Sequence, residues 1–174
     1  VYGINFEATH KLGWDGDLTA AEVDTRTALA APELGAPRLF RILNGGVLAD
    51  TMLERGDLDA AEDVLASLDS QIESDSLTAA VLRLARGRLR VVQGRIDDGL
   101  ADFLGVGRLA TRAHVTCPGY LPWRSEAALA HLSLAEHEHA KRLADEELEL
   151  ARTYGAPRAL GIAKRAAGLV AGGD

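Results

Sequence analysis

Apolar residues recur along the chain at intervals of three and four, and strand-like alternation is almost absent, so the pattern predicts helices throughout. A weakly patterned first segment runs from about Ile4 to Leu12 and ends at Gly13-Trp14-Asp15-Gly16. Asp17 is placed to cap a second helix reaching about Ala31, which Pro32 and Gly35 end. Pro37 suits the first turn of a third, where its missing N–H would be unpaired anyway. That helix carries Leu39, Ile42, Gly46, Ala49 and Leu53 on one stripe, and Gly56 ends it. A fourth, capped by Asp57, aligns Leu58, Ala61, Leu65 and Leu68. Asp69 to Ser76 reads as a polar linker. A fifth helix holds Leu82, Ala85, Leu89 and Val92 and stops at Gly94, and a sixth aligns Ile96, Leu100, Phe103 and Leu104. After a longer connection, His114 to Leu121, Pro122 opens a seventh helix to about Leu134. The eighth, about Glu138 to Thr153, turns Ala140, Leu143, Ala144, Leu148 and Ala151 inward, and the ninth, from Pro157, does so with Leu160, Ala163, Ala167 and Val170.

The elements repeat. Gly16-Asp17-Leu18-Thr19-Ala20-Ala21-Glu22 returns forty residues later as Gly56-Asp57-Leu58-Asp59-Ala60-Ala61-Glu62, and Gly35-Ala36-Pro37-Arg38 returns as Gly155-Ala156-Pro157-Arg158. Taking the residue that ends each first helix as an anchor, Gly16, Gly56, Gly94 and Ala135, the intervals are 40, 38 and 41. Five residues after each anchor sit Ala21, Ala61, Gly99 and Ala140, and seven before sit Thr9, Ala49, Gly87 and Ala128. Both columns are small, which lets the two helices of a hairpin approach closely where they cross. This is the packing logic of tetratricopeptide repeats, with a period longer than their usual ~34. The expected fold is therefore all-α, a right-handed superhelix of antiparallel helix hairpins with about nine helices and a period of about 40. One domain is expected over 1–174, with units near 1–34, 35–76, 77–118 and 119–156 and another beginning at 157. The chain reads as an excerpt of a longer protein, and an open-ended stack of repeats is expected to self-associate.

Composition narrows the partners. The net charge of −7 lacks the basic footprint of a nucleic-acid binder. No apolar run reaches the length of a membrane span. Aromatics are only 5%, so the core must be built from small and aliphatic side chains. The single cysteine, Cys117, allows no internal disulfide and suits a reducing, cytoplasmic setting.

Arrays of this kind present their first helices on a concave face that binds peptides or small ligands. By register that face includes Phe6, His10, Leu43, Asp50, Leu53, Leu84, Arg88, Val91, Ser125, Leu129 and Leu132, although the leucines are better suited to packing against the next repeat. Arg83, Arg86 and Arg90 share one helical side and form a candidate basic contact patch, or they pair with acids such as Asp97, Asp98 and Asp102. Glu136-His137-Glu138-His139 together with His131 has metal-ligand composition, but neighbours at a helix start do not all converge and no HExxH spacing supports a site, so no metal is expected. Trp14 and Trp123 lie at helix ends, where a wide ring can plug a gap between repeats. There is no phosphate loop, GxGxxG or GxSxG, and no catalytic constellation or cofactor is expected in this segment.

Three stretches carry a family resemblance: Leu121-Pro122-Trp123-Arg124-Ser125-Glu126-Ala127-Ala128-Leu129-Ala130, then Ala140 through Arg152, then Gly155-Ala156-Pro157-Arg158-Ala159-Leu160-Gly161. They closely resemble the helical-repeat region of large ATP-binding LuxR-type transcriptional regulators, the MalT-like group. Leu53 to Ala61, and Ala85 to Arg90 followed by Gln93-Gly94-Arg95, fit the same region. The resemblance implies a sensor region that receives an inducer or partner and controls self-association, lying between a nucleotide-binding domain and a DNA-binding helix-turn-helix. Neither of those domains' motifs occurs here, so ATPase and DNA-binding roles do not carry over to this segment. The alternatives are a free-standing tetratricopeptide scaffold that binds a peptide or protein and, with least support, an enzyme using the Glu136–His139 cluster.

Overall fold

The computed structural model describes residues 16–30, 38–74 and 76–173, and every regular element among them is helical. The elements are α1 (Leu18–Ala30), α2 (Arg38–Glu54), α3 (Leu58–Ala66), α4 (Asp69–Ile72), α5 (Ala79–Val92), α6 (Ile96–Arg112), α7 (Trp123–Ser133), α8 (His137–Tyr154) and α9 (Pro157–Gly172). The expected all-α class of paired helices is observed, with α1 on α2, α2 on α3, α6 on α7, α7 on α8, and α9 on both α7 and α8. The segment Ile4 to Leu12 and the positions Thr9, Trp14 and Pro37 lie outside the described residues. The chain forms two compact units divided between Ala85 and Arg86, within the span of α5.

The repeated heptad does one structural job in both copies. Gly16 and Gly56 adopt left-handed backbone, with φ of 67° and 76°, a region that glycine enters without Cβ strain. Asp17 and Asp57 then accept the N–H of Ala20 at 2.9 Å and of Ala60 at 3.1 Å, satisfying a first-turn donor that the helix itself leaves unpaired. Ala21 and Ala61, next in the motif, are fully buried. The two weaker copies keep the turn and lose the cap. Gly94 and Ala135 are also left-handed, at 79° and 58°, but neither Arg95 nor Glu136 caps the helix that follows with its side chain. At Gly56, Gly94 and Ala135 the closing bonds match. The residue after the corner donates to the carbonyl five back, as Asp57 N–H does to Met52 and Glu136 N–H to His131, both at 2.9 Å. This is the Schellman arrangement, which satisfies the last carbonyls of the outgoing helix.

In the first unit, Gly46 of α2 receives a side chain from α5, and Gly45 receives Leu68 from the turn between α3 and α4. A Cβ on Gly46 would lie 2.6 Å from Val81 Cγ1, and one on Gly45 would meet Leu68 and Leu82. Ile42, Ala49, Leu65 and Leu82 are buried as the stripes predict, whereas Leu39 is 41% exposed. Asp69 to Ser76 is more than a polar linker. Its first four residues form the short helix α4, which buries Ile72 against the core. The polar composition of the segment concealed this one apolar anchor.

In the second unit, the small columns sit at true crossings. A Cβ on Gly99 would lie 2.8 Å from the Gly87 carbonyl oxygen, and one on Gly87 would lie 2.5 Å from the Phe103 ring. Ala128 and Ala140 are fully buried. Trp123 fills a gap between helices, as its position at a helix start predicts. Its ring lies where a Cβ on Gly107 of α6 would fall, 2.8 Å away. Val92 faces solvent, 61% exposed, despite its place in the α5 stripe.

Candidate functional site

Of the residues expected to line a concave face, Phe6 and His10 lie outside the described residues. Leu43, Asp50 and Leu53 are half-buried on α2, and Leu84 is buried. In the second unit Arg88 and Val91 lie on α5 and Ser125, Leu129 and Leu132 on α7. Arg88 reaches across to α7, its Nε donating to Glu126 Oε1 at 2.8 Å. Ser125, beside Glu126, is only 2% exposed, and its hydroxyl is buried without a hydrogen-bond partner. It therefore lies inside the helix packing, while Leu129 is half-buried. Leu132 is approached by the chain end after α9, since a Cβ on Gly173 would lie 2.9 Å from it.

Arg83 takes a partner of its own, whereas Arg86 and Arg90 share one. Arg83 donates to the Ile72 carbonyl at 2.8 Å, tying α5 to the end of α4. Arg86 grips Asp102 of α6 with two hydrogen bonds, of 2.9 and 2.7 Å, and Arg90 adds a third at 2.8 Å. Asp102 is buried, so its charge is held by two guanidinium groups, an arrangement in which each ion compensates the desolvation of the other.

The most perturbed ionisable group was not foreseen. Glu147 of α8 is 1% exposed, and neither carboxylate oxygen makes a hydrogen bond. Burial pushes its carboxyl up to about 7, against the pull of Arg124, whose Nη1 lies 3.5 Å from Oε2. Arg124 in turn stacks over Trp123 at 4.4 Å and approaches Glu146 at 3.5 Å. A signal existed, because position 147 falls on the stripe formed by Ala140, Leu143, Ala144 and Ala151.

At the α7–α8 corner, part of the metal-like cluster does come together. His131, Glu136 and His139 each bring a donor atom within 4.8 Å of the others'. His137 and Glu138, which flank His139 in the sequence, are not in this group. In the first unit a cavity of about 210 Å³ is lined by Leu39, Ile42, Ser74, Ser76 and Thr78. Its hydroxyls are linked at 2.9 Å, and Ser76 Oγ also accepts the Ala79 N–H at the start of α5. That volume falls below the ~300–1,000 Å³ of pockets that enclose a drug-sized ligand.

Among the described residues, no helix is long and apolar enough to cross a membrane. Comparison of the chain with protein-family models, with curated proteins and with solved structures finds no match.

Proposed function

We propose that the chain is a regulatory sensor and protein-interaction module of the kind carried by LuxR-type, MalT-like transcriptional regulators, which receives an inducer or protein partner and controls self-association. The observation that supports it most is the recurrence of one hairpin corner, with left-handed anchors at Gly16, Gly56, Gly94 and Ala135 and buried small residues at Ala21, Ala61, Gly99 and Ala140. Repeats built this way stack as a scaffold whose exposed positions are free to vary with the partner. The LuxR-type assignment rests on the sequence stretches around Pro122, Ala140 and Pro157. A cytoplasmic setting goes with it, on the strength of the lone Cys117.

The coding sequence on either side provides the test. A phosphate loop upstream and a helix-turn-helix downstream are expected. A reading frame with neither overturns the regulator assignment and leaves a free-standing repeat scaffold. Light scattering across a concentration range measures self-association separately, and a monodisperse monomer throughout argues against its control by this segment.

A further inference from the structure

The corner between α7 and α8 holds the elements of a metal site. Because Ala135 turns the chain in left-handed conformation, the Glu136 N–H bonds back to the His131 carbonyl, and the two side chains emerge next to each other. His131 Nδ1 lies 2.5 Å from Glu136 Oε2. His139, one turn further along α8, stacks on the His131 ring with centroids 5.1 Å apart and planes inclined by 22°. His131 is 7% exposed and held by the packing, while Glu136 and His139 stand at the surface. One donor is thus fixed at the back, and two adjustable donors stand in front of it, open to solvent.

We propose that His131, Glu136 and His139 bind one divalent cation of the zinc class. Two imidazoles and a carboxylate suit Zn²⁺, Co²⁺ or Ni²⁺ rather than Mg²⁺ or Ca²⁺, which favour all-oxygen shells. A tetrahedral Zn²⁺ with bonds of about 2.0–2.1 Å needs donors about 3.3 Å apart. The 2.5 Å His131–Glu136 contact must open by under about 1 Å, and the His139 donor, within 4.8 Å of the other two, must close to that same separation. Both movements fall on surface side chains. Three protein ligands leave the fourth position to water or another ligand. A hydrogen bond between His131 and Glu136 alone would serve the corner; the second imidazole stacked beside it is what a cation requires. The bound ion would clamp the α7–α8 hairpin.

The test is a Co²⁺ titration followed by visible absorption, with Zn²⁺ as competitor. A saturable one-to-one tetrahedral Co²⁺ spectrum is expected, displaced by Zn²⁺. His139→Ala and Glu136→Gln should each weaken binding by about tenfold or more, while His137→Ala, an exposed neighbour, leaves it unchanged. Circular dichroism checks that each variant is folded. Absence of a saturable spectrum overturns the proposal. So does equal weakening by His137→Ala and His139→Ala, which would mark adventitious surface binding, or a thiolate band that Cys117→Ser abolishes.

Discussion

Alanine at Gly99 tests the crossing that the repeat depends on. A Cβ there would fall 2.6 Å from Val91 Cγ2 and 2.8 Å from the Gly87 carbonyl oxygen. The valine can yield by changing rotamer, but the carbonyl belongs to the backbone of α5, so relief requires the two helices to move apart. Overpacking of this kind costs roughly 1–3 kcal/mol. Against it stands the gain of about 0.5–1 kcal/mol when alanine replaces glycine in a helix interior. The net expectation for Gly99→Ala is a loss of up to about 2.5 kcal/mol. Gly161 and Gly168 of α9 are exposed, and a Cβ on either meets nothing within 4 Å. There the same substitution should stabilise by about 0.5–1 kcal/mol. All three sites lie in the second unit, so urea unfolding followed by circular dichroism compares like with like. For a unit of this size each kcal/mol corresponds to about 4–8 °C in Tm. If Gly99→Ala proves as stable as Gly161→Ala, α5 and α6 do not cross at Gly87 and Gly99 and the repeat register is wrong.

Three further outcomes are expected. The folded chain keeps the Glu147 proton up to about pH 7, whereas the unfolded chain releases it near 4.5, so stability should fall by about 3 kcal/mol as pH rises between those values and level off above. Glu147→Gln should remove this slope, and its advantage in urea midpoint should grow from pH 5 to pH 8; a constant difference would refute the assignment. Asp102→Ala leaves Arg86 and Arg90 without their shared carboxylate and should cost about 2–3 kcal/mol, below the full cost of breaking a buried pair because both arginines reach solvent. Thermal melts would decide, and an unchanged Tm would mean that the pairing contributes nothing to stability. Ala135→Gly should stabilise by about 0.5–1 kcal/mol by relieving left-handed strain at a residue with a Cβ, and a destabilised variant would contradict the corner geometry.

Much of the helical layout is legible because its signals are short-range. Gly56 followed by Asp57 announces a helix stop and a helix cap within two residues, and Gly155 followed by Pro157 does the same between α8 and α9. Ala61, Gly87, Gly99, Ala128 and Ala140 could be picked out as crossing points because a repeat puts the same geometric demand at the same register. Leu39 and Val92 show the limit of periodicity. Each falls on an apolar stripe, yet each is exposed, because a stripe says which way a residue faces and not whether another helix covers it. Ile72 shows the converse, an apolar anchor hidden in a polar stretch.

The candidate sites divide in the same way. Asp102 was one of several acids that could pair with the arginines of α5, and nothing local singles it out from Asp97 or Asp98. Once α5 lies on α6, Asp102 receives both Arg86 and Arg90, while Asp98 pairs with Arg95. Glu147 reads as one more acid on a charged helix, and only the cover of neighbouring helices turns it into a buried carboxyl that holds its proton near neutrality. His131, Glu136 and His139 look too scattered to converge until the left-handed turn at Ala135 folds α8 back beside α7. By itself, then, the sequence determined where helices start, stop and cross, since those depend on backbone conformation and side-chain size within a few residues. Which charges are paired, which are buried and which donors meet was decided by the tertiary structure, because those depend on distances between helices that no local pattern encodes.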